Sequence, residues 1–177
     1  GRAFAALKSD GSVITWGRTS YGGDSSAPVG GTLTDVTSGM AVLSIMGPNS
    51  RALLQSLTHT DMSNEAFPFG TSQIIDLGYA RVRASRVTFV GELGWELHIP
   101  LAKTGDVFDV LMSAGQPFGM RPVGYRALEA LRLEKGYRAW GADIGPDHTP
   151  VEAGLLWACK MKSGVDFIGR DAVVLGV

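Results

Sequence analysis

Apolar positions fall into short runs separated by glycine, proline and serine, and the spacing within each run predicts its element. Residues 3–7 and 12–16 are two such runs on either side of Asp10-Gly11, a pattern that predicts a β-hairpin. Residues 18–31 are rich in Gly, Ser and Pro and poor in apolar side chains, so they read as a linker, with a boundary near Pro28. From Met40 the string MAVLSIM is a continuous apolar strand closed by Gly47-Pro48. Leu53, Leu54 and Leu57 then keep helical spacing, with Pro48 suited to the first helical turn.

Residues 72–77 and 81–89 are strand-like, the second with a break in alternation near Ser85 that suggests a bulge. In GELGWELHIP the glycines predict a sharp turn into a strand whose Trp95, Leu97 and Ile99 face one way and Glu96 and His98 the other. Val107, Phe108, Val110 and Leu111 predict a helix ended by Gly115. A further helix in GYRALEALRLEKG would pack Leu128 and Leu131 and expose Glu129, Arg132, Glu134 and Lys135 as a charged face. The strands and helices do not alternate regularly, so the fold class is α+β: a mixed or antiparallel sheet with packed helices, preceded by a β-hairpin segment. The expected organisation is residues 1–30, hairpin and linker, and residues 31–177, the main domain.

Composition narrows the function. The chain has 177 residues, 45% hydrophobic and 19% charged, and a formal net charge of −1, without the basic excess that binding a phosphate backbone requires; nucleic acid is not an expected partner. No apolar run reaches the roughly 20 residues that span a bilayer, and no targeting segment is visible, so neither a membrane nor an address is read from the pattern. The single Cys159 makes no internal disulfide and follows an apolar run, which suits a buried small residue. Asp143, His148 and Glu152 lie in a Pro-rich loop without a recognised metal-ligand spacing, so no metal site is expected, and His59 has no evident partner.

The most informative chemistry is again GELGWE, which holds the carboxylate of Glu96 beside aromatic surface. A carboxylate accepts two parallel hydrogen bonds and an aromatic wall covers a ring face, so the pair suits a flat heterocycle with adjacent N–H donors, such as a pterin. A solvated strand face would place the same residues in the same way.

The runs SIMGPNSRALLQ, DMSNEAFPFGTSQ, RVTFVGELGWELHIP, GYRALEALRLEKGYRAWGAD and TPVEAGLLWACKMKS resemble the folate-binding aminomethyltransferase (glycine cleavage T-protein) family. They are most similar to the tetrahydrofolate portion of the sarcosine and dimethylglycine dehydrogenases, and extend from about Asp35 to the C-terminus. The resemblance implies that residues 31–177 are the C-terminal part of that folate-binding domain. It also implies that Glu96 anchors a pterin ring and that Phe89, Tyr137 and Trp157 are aromatic walls, although core packing accounts for these three equally well. An Arg of the aminomethyltransferases proper is replaced by Leu128, which favours the dehydrogenase branch and leaves Arg126 as a candidate for the folate tail.

The implied activity is one-carbon transfer from an oxidised N-methyl amine to tetrahydrofolate, giving 5,10-methylene-tetrahydrofolate. The alternatives are an aminomethyltransferase or folate-dependent demethylase, and a non-catalytic folate-binding or interaction module. FAD would belong to a separate domain, because no G-x-G-x-x-G opens a strand-to-helix turn here. The implied partners are a flavin dehydrogenase domain or the missing half of the folate domain. The implied location is the mitochondrial matrix, with the cytoplasm as the alternative.

The family's catalytic Asp should lie upstream of Asp35. The string GGTLTDVTS resembles the motif around it and makes Asp35 the one catalytic candidate, but the residues that follow match the later MAVLSIMGP strand without interruption. Residues 1–29 instead resemble one repeat of the chromosome-condensation-regulator type of β-propeller, which cannot complete that architecture alone. If half the folate domain is absent, strands would present open edges, with poor solubility or dimerisation as the consequence.

Overall fold

The computed structural model describes residues 3–7, 13–17, 38–159, 161–162, 167 and 169–175. The linker reading of residues 18–31 and the candidate Asp35 lie outside the described residues. The chain divides into two compact units, one of residues 35–137 and the other of residues 1–34 with 138–177.

Strands β1 (Ala3–Leu7) and β2 (Val13–Gly17) pair antiparallel with Ala3 opposite Gly17 and Leu7 opposite Val13, the hairpin expected around Asp10-Gly11.

The unit of residues 35–137 opens with β3 (Met40–Met46) and helix α1 (Ser50–Gln55). Pro48 lies in the turn before the Asn49 cap, not in the first helical turn as expected, because the Gly47 amide bends back to the Leu93 carbonyl at 2.8 Å before the helix can start. β4 (Ser72–Leu77), β5 (Ala80–Ser85) and β6 (Gly94–Pro100) follow, and the sheet runs β3-β6-β5-β4 with every neighbouring pair antiparallel. Helices α2 (Thr104–Gly115) and α3 (Tyr125–Glu134) complete the unit. The class is therefore α+β with an antiparallel sheet, as the pattern indicated.

Period-two alternation decides which sheet face is covered. Trp95, Leu97 and Ile99 on β6, Val82 and Ala84 on β5, and Ile75 and Leu77 on β4 are all within 1% of complete burial. They form one core with Leu54 of α1 and with Val107 and Leu111 of α2. Burying each large aliphatic side chain is worth about 1.5–3 kcal/mol. Leu43 and Ile45 of β3 face the same core yet stay half-buried at the sheet edge. The opposite face is open: Val42 remains 51% and Ile74 46% exposed.

Two helix expectations are corrected. Gly115 is the last residue of α2 but has a right-handed φ of −77°; a 3-10 turn, Gln116–Phe118, follows, and the left-handed stop is Gly119. Glycine is required at 115 for proximity, since a Cβ there would sit 2.6–2.9 Å from the Met120 side chain. On α3, Leu128 and Leu131 are only half-buried, and the buried side chain is Arg132, expected on the charged face.

In the other unit, the described tail is turn-rich, with a 3-10 helix at Leu156–Ala158 and helix α4 at Arg170–Leu175. Cys159 is half-buried, not enclosed as expected. No described helix is long and apolar enough to cross a membrane.

Candidate functional site

The segment between β5 and β6 departs from the strand that its sequence predicts. The expected strand over residues 81–89 stops at Ser85, because the Val87 amide turns back to the Ser85 carbonyl at 2.9 Å and leaves Phe89 in a loop. Arg86 anchors the start of that loop by donating from Nη1 to the Phe67 carbonyl at 2.7 Å and from Nη2 to Asn64 Oδ1 at 2.7 Å. Burial and the neighbouring Arg51 hold the Arg86 pKa below its usual value, with Glu65 acting in the opposite sense.

Two glycines let the loop close. Gly91 is left-handed, at φ +71°, and the stem of Lys135 lies across it, so that a Cβ would come 2.7–2.8 Å from its Cε and Cδ. At Gly94 a Cβ would run into the Ile45 carbonyl oxygen and approach Met46 Cα at 2.8 Å, so only glycine lets β6 begin here beside β3. The Leu93 carbonyl between them accepts from the Gly47 amide and from Ser50 Oγ, which fixes the turn to the β3–α1 corner.

Trp95 is not a wall of this site. Its ring is fully buried, edge-on to Phe67 at 5.9 Å, with the Arg51 and Arg86 guanidiniums 6.0 and 5.7 Å from its centre. Strand alternation puts it on the core face, so it is not the aromatic surface expected beside Glu96.

Glu96 faces the open side of the sheet in a cross-strand row with Ser44 on β3, Ser85 on β5 and Ser72 on β4. Ser85 Oγ donates to Ser72 Oγ at 3.1 Å. Glu96 is half-exposed, and no described residue donates a hydrogen bond to its carboxylate or pairs with it. Two residues earlier on the same strand face, about 6.6 Å away by the strand rise, Gly94 lines a cavity of about 240 Å³. Arg86, Thr88, Glu92 and Tyr137 share that lining.

Phe89 and Tyr137, 48 positions apart in sequence, are in contact, with ring centres 6.2 Å apart and planes inclined by 35°. Phe89 is 38% exposed and Tyr137 half-buried, so neither is enclosed in the core. The signal that brings Tyr137 here is the end of α3. Gly136 is left-handed at φ +69°, its amide donates to the Leu133 carbonyl, and the Tyr137 amide donates to the Arg132 carbonyl, both at 2.9 Å. These two bonds form a Schellman cap, which reverses the chain at a fixed angle.

Trp157 belongs to the other unit and is 79% exposed. The structure thus joins Phe89 to Tyr137 and sets Glu96 one strand step beyond the cavity that Tyr137 lines. Arg126 is exposed on α3. The three metal candidates are each engaged in their own loop: Asp143 accepts from the Ala139 amide, His148 Nδ1 from the Gly145 amide, and Glu152 from the Thr149 amide and hydroxyl. Those bonds from Thr149, the amide first, hold the Glu152 pKa below the usual carboxylate value. Among the described residues no three His, Cys, Asp or Glu side chains converge as metal ligands.

Residues 10–163 match the family model of the GCVT N-terminal domain, and the chain belongs to that family. Human mitochondrial sarcosine dehydrogenase is 50% identical to it over 141 residues, which are 80% of this chain and 15% of that protein. Mouse mitochondrial dimethylglycine dehydrogenase is 40% identical over 141 residues, 80% of this chain and 16% of that protein. The aminomethyltransferase of Listeria monocytogenes serotype 4a (strain HCC23) is 36% identical over 142 residues, 80% of this chain and 38% of that protein. The resemblance drawn from the sequence motifs is borne out, and the chain spans less than a fifth of the length of the two dehydrogenases.

Proposed function

We propose that this chain binds tetrahydrofolate as the folate-binding part of a sarcosine or dimethylglycine dehydrogenase-like enzyme. In that enzyme the one-carbon unit of an oxidised N-methyl amine passes to tetrahydrofolate, giving 5,10-methylene-tetrahydrofolate. The observation that carries the reading is the uncommitted carboxylate of Glu96, held on the open sheet face with its backbone locked in β6. A carboxylate that accepts from no described residue is free to take the fork of N–H donors on a pterin edge, the geometry in which two parallel charge-assisted bonds form. Phe89 and Tyr137 supply ring faces. The chain's share of the reaction is to bind and orient the folate near the reactive carbon. Flavin chemistry would come from a dehydrogenase part outside this sequence. The names of both dehydrogenase relatives place them in mitochondria, and the mitochondrial matrix is the corresponding proposal for this chain.

Calorimetric titration of tetrahydrofolate into the parent chain and into Glu96→Gln tests the reading, once both are shown to melt alike. Loss of about 1.5–3 kcal/mol of binding in the variant is expected, the worth of hydrogen bonds to a charged group. Equal binding by both would remove Glu96 from the site, and no binding by a folded parent would refute the folate reading. Binding without one-carbon transfer in the presence of a flavin dehydrogenase partner would instead mark a binding module.

A further inference from the structure

We infer that Arg132 is the positioning residue of this site, holding Phe89 and Tyr137 together as one aromatic platform for a flat ring; the inference rests on the folate reading for the identity of that ring. Arg132 is 2% exposed, although it lies on a helix whose other side chains are all at least partly open to solvent. A buried guanidinium is costly unless its donors and charge are matched, and here part of that matching falls on the two residues that bear the rings. Nε donates to Glu129 Oε2 at 3.1 Å, and Nη2 pairs with the same carboxylate, which balances the charge one turn back on α3. Nη1 donates to the Tyr137 carbonyl at 2.8 Å. The backbone carbonyl of Arg132 accepts from the Tyr137 amide at 2.9 Å, so one residue holds both backbone polar groups of Tyr137. The guanidinium also lies 6.0 Å from the centre of the Phe89 ring, within cation–π range.

The geometry explains why the arginine is buried. Phe89 sits in a loop with no strand to hold it, and Tyr137 lies just past the end of a helix, so neither ring would keep its orientation unaided. Arg132 contacts both, and its planar fork satisfies Glu129 and the Tyr137 carbonyl at once, which a lysine ammonium cannot do in the same plane. It restricts the two rings before a ligand arrives, and pre-organisation of that kind strengthens binding by removing an ordering cost.

The test uses the full chain with Arg132→Met, which keeps the stem and removes charge and donors, and Arg132→Lys, which keeps the charge alone. Phe89–Tyr137 proximity is read in the free proteins from aromatic NMR cross-peaks. Affinity for tetrahydrofolate is read by calorimetry, and integrity of the core from the Trp95 indole N–H resonance. The expectation is that Arg132→Met loses the ring cross-peaks and binds at least ten-fold more weakly with Trp95 unchanged, and that Arg132→Lys recovers part of both. In a double-mutant cycle with Phe89→Leu, the second substitution should cost little once Arg132 is gone, whereas a structural role elsewhere would give additive losses. Retained cross-peaks in Arg132→Met, or additive losses in the cycle, would overturn the inference. If Arg132→Met does not fold, Arg132→Lys and Glu129→Gln carry the same measurements, and unchanged cross-peaks in both would overturn it. A parent that shows the cross-peaks but binds no tetrahydrofolate would refute the folate reading, while the cross-peaks in the variants still decide the role of Arg132.

Discussion

Asn64 offers a neutral oxygen to two cations, and replacing it with aspartate should stabilise the protein. Arg51 Nη2 donates to Asn64 Oδ1 at 2.6 Å and Arg86 Nη2 donates to the same atom at 2.7 Å. Arg51 Nε also donates to the Met62 carbonyl at 2.9 Å, and Arg86 Nη1 to the Phe67 carbonyl, so both guanidiniums are fixed in place across the loop. Their mutual repulsion is part of what depresses the Arg86 pKa. The Asn64 amide nitrogen has no hydrogen-bond partner among the described residues, so Asn64→Asp loses no contact while adding a charge opposite two fixed cations.

Residue 64 is exposed, so each new pair is worth about 0.2–1 kcal/mol. Glu65 next to it subtracts a little, and a net gain of about 1 kcal/mol follows. In a unit of this size that raises the melting temperature by about 4 °C at pH 7. The pH sign follows from the charge. The two guanidiniums would depress the folded pKa of the new carboxyl, so the gain is present above its unfolded value of about 3.9. It disappears as pH falls through the folded value, and high salt should reduce it. Calorimetric melts at pH 7 and below pH 3, with Asn64→Ala as the destabilised control, measure it. A melting temperature at pH 7 equal to or below the parent's would refute the reasoning, as would a gain that persists below pH 3.

Other outcomes follow from the same structure. Gly94→Ala should lose about 3 kcal/mol, at the upper end of overpacking costs, because the added Cβ meets the Ile45 carbonyl and the backbone of β3; denaturant melts would show it, and a loss under 1 kcal/mol would mean that the strands can part cheaply. The Glu152 carboxyl should titrate below the ordinary glutamate value of about 4.3, so its contribution to the loop is present above that pH and lost as acid brings it through its folded pKa. Carboxyl NMR would follow the midpoint, and Thr149→Val, which removes the hydroxyl but keeps the amide, should move it part of the way back up. Among the described residues β3 is an outer strand of its sheet, with no charged residue in MAVLSIM, the type of edge that pairs with other chains. Light scattering should therefore show self-association that Val42→Lys reduces, and a monodisperse parent at high concentration would contradict it.

The sequence by itself determined the elements whose signal is local. The antiparallel pairing of β1 with β2, the strand MAVLSIM and the alternation of Trp95, Leu97 and Ile99 against Glu96 and His98 follow from periods of two and from turn chemistry, which neighbouring residues carry. The family was legible for a similar reason, because its motifs are contiguous strings, and Glu96 could be named from one of them. Only the tertiary structure decided where the strand after Ser85 ends, that Gly115 serves Met120 and not a left-handed cap, and that Trp95 belongs to the core. It alone decided that Arg132 is buried: its spacing on α3 is that of a solvated face, and among the described residues the return of Tyr137 and the loop bearing Phe89 come up against it. A charge in a helix reads as exposed until something distant in sequence covers it, and that cover depends on packing between segments, which no local pattern encodes.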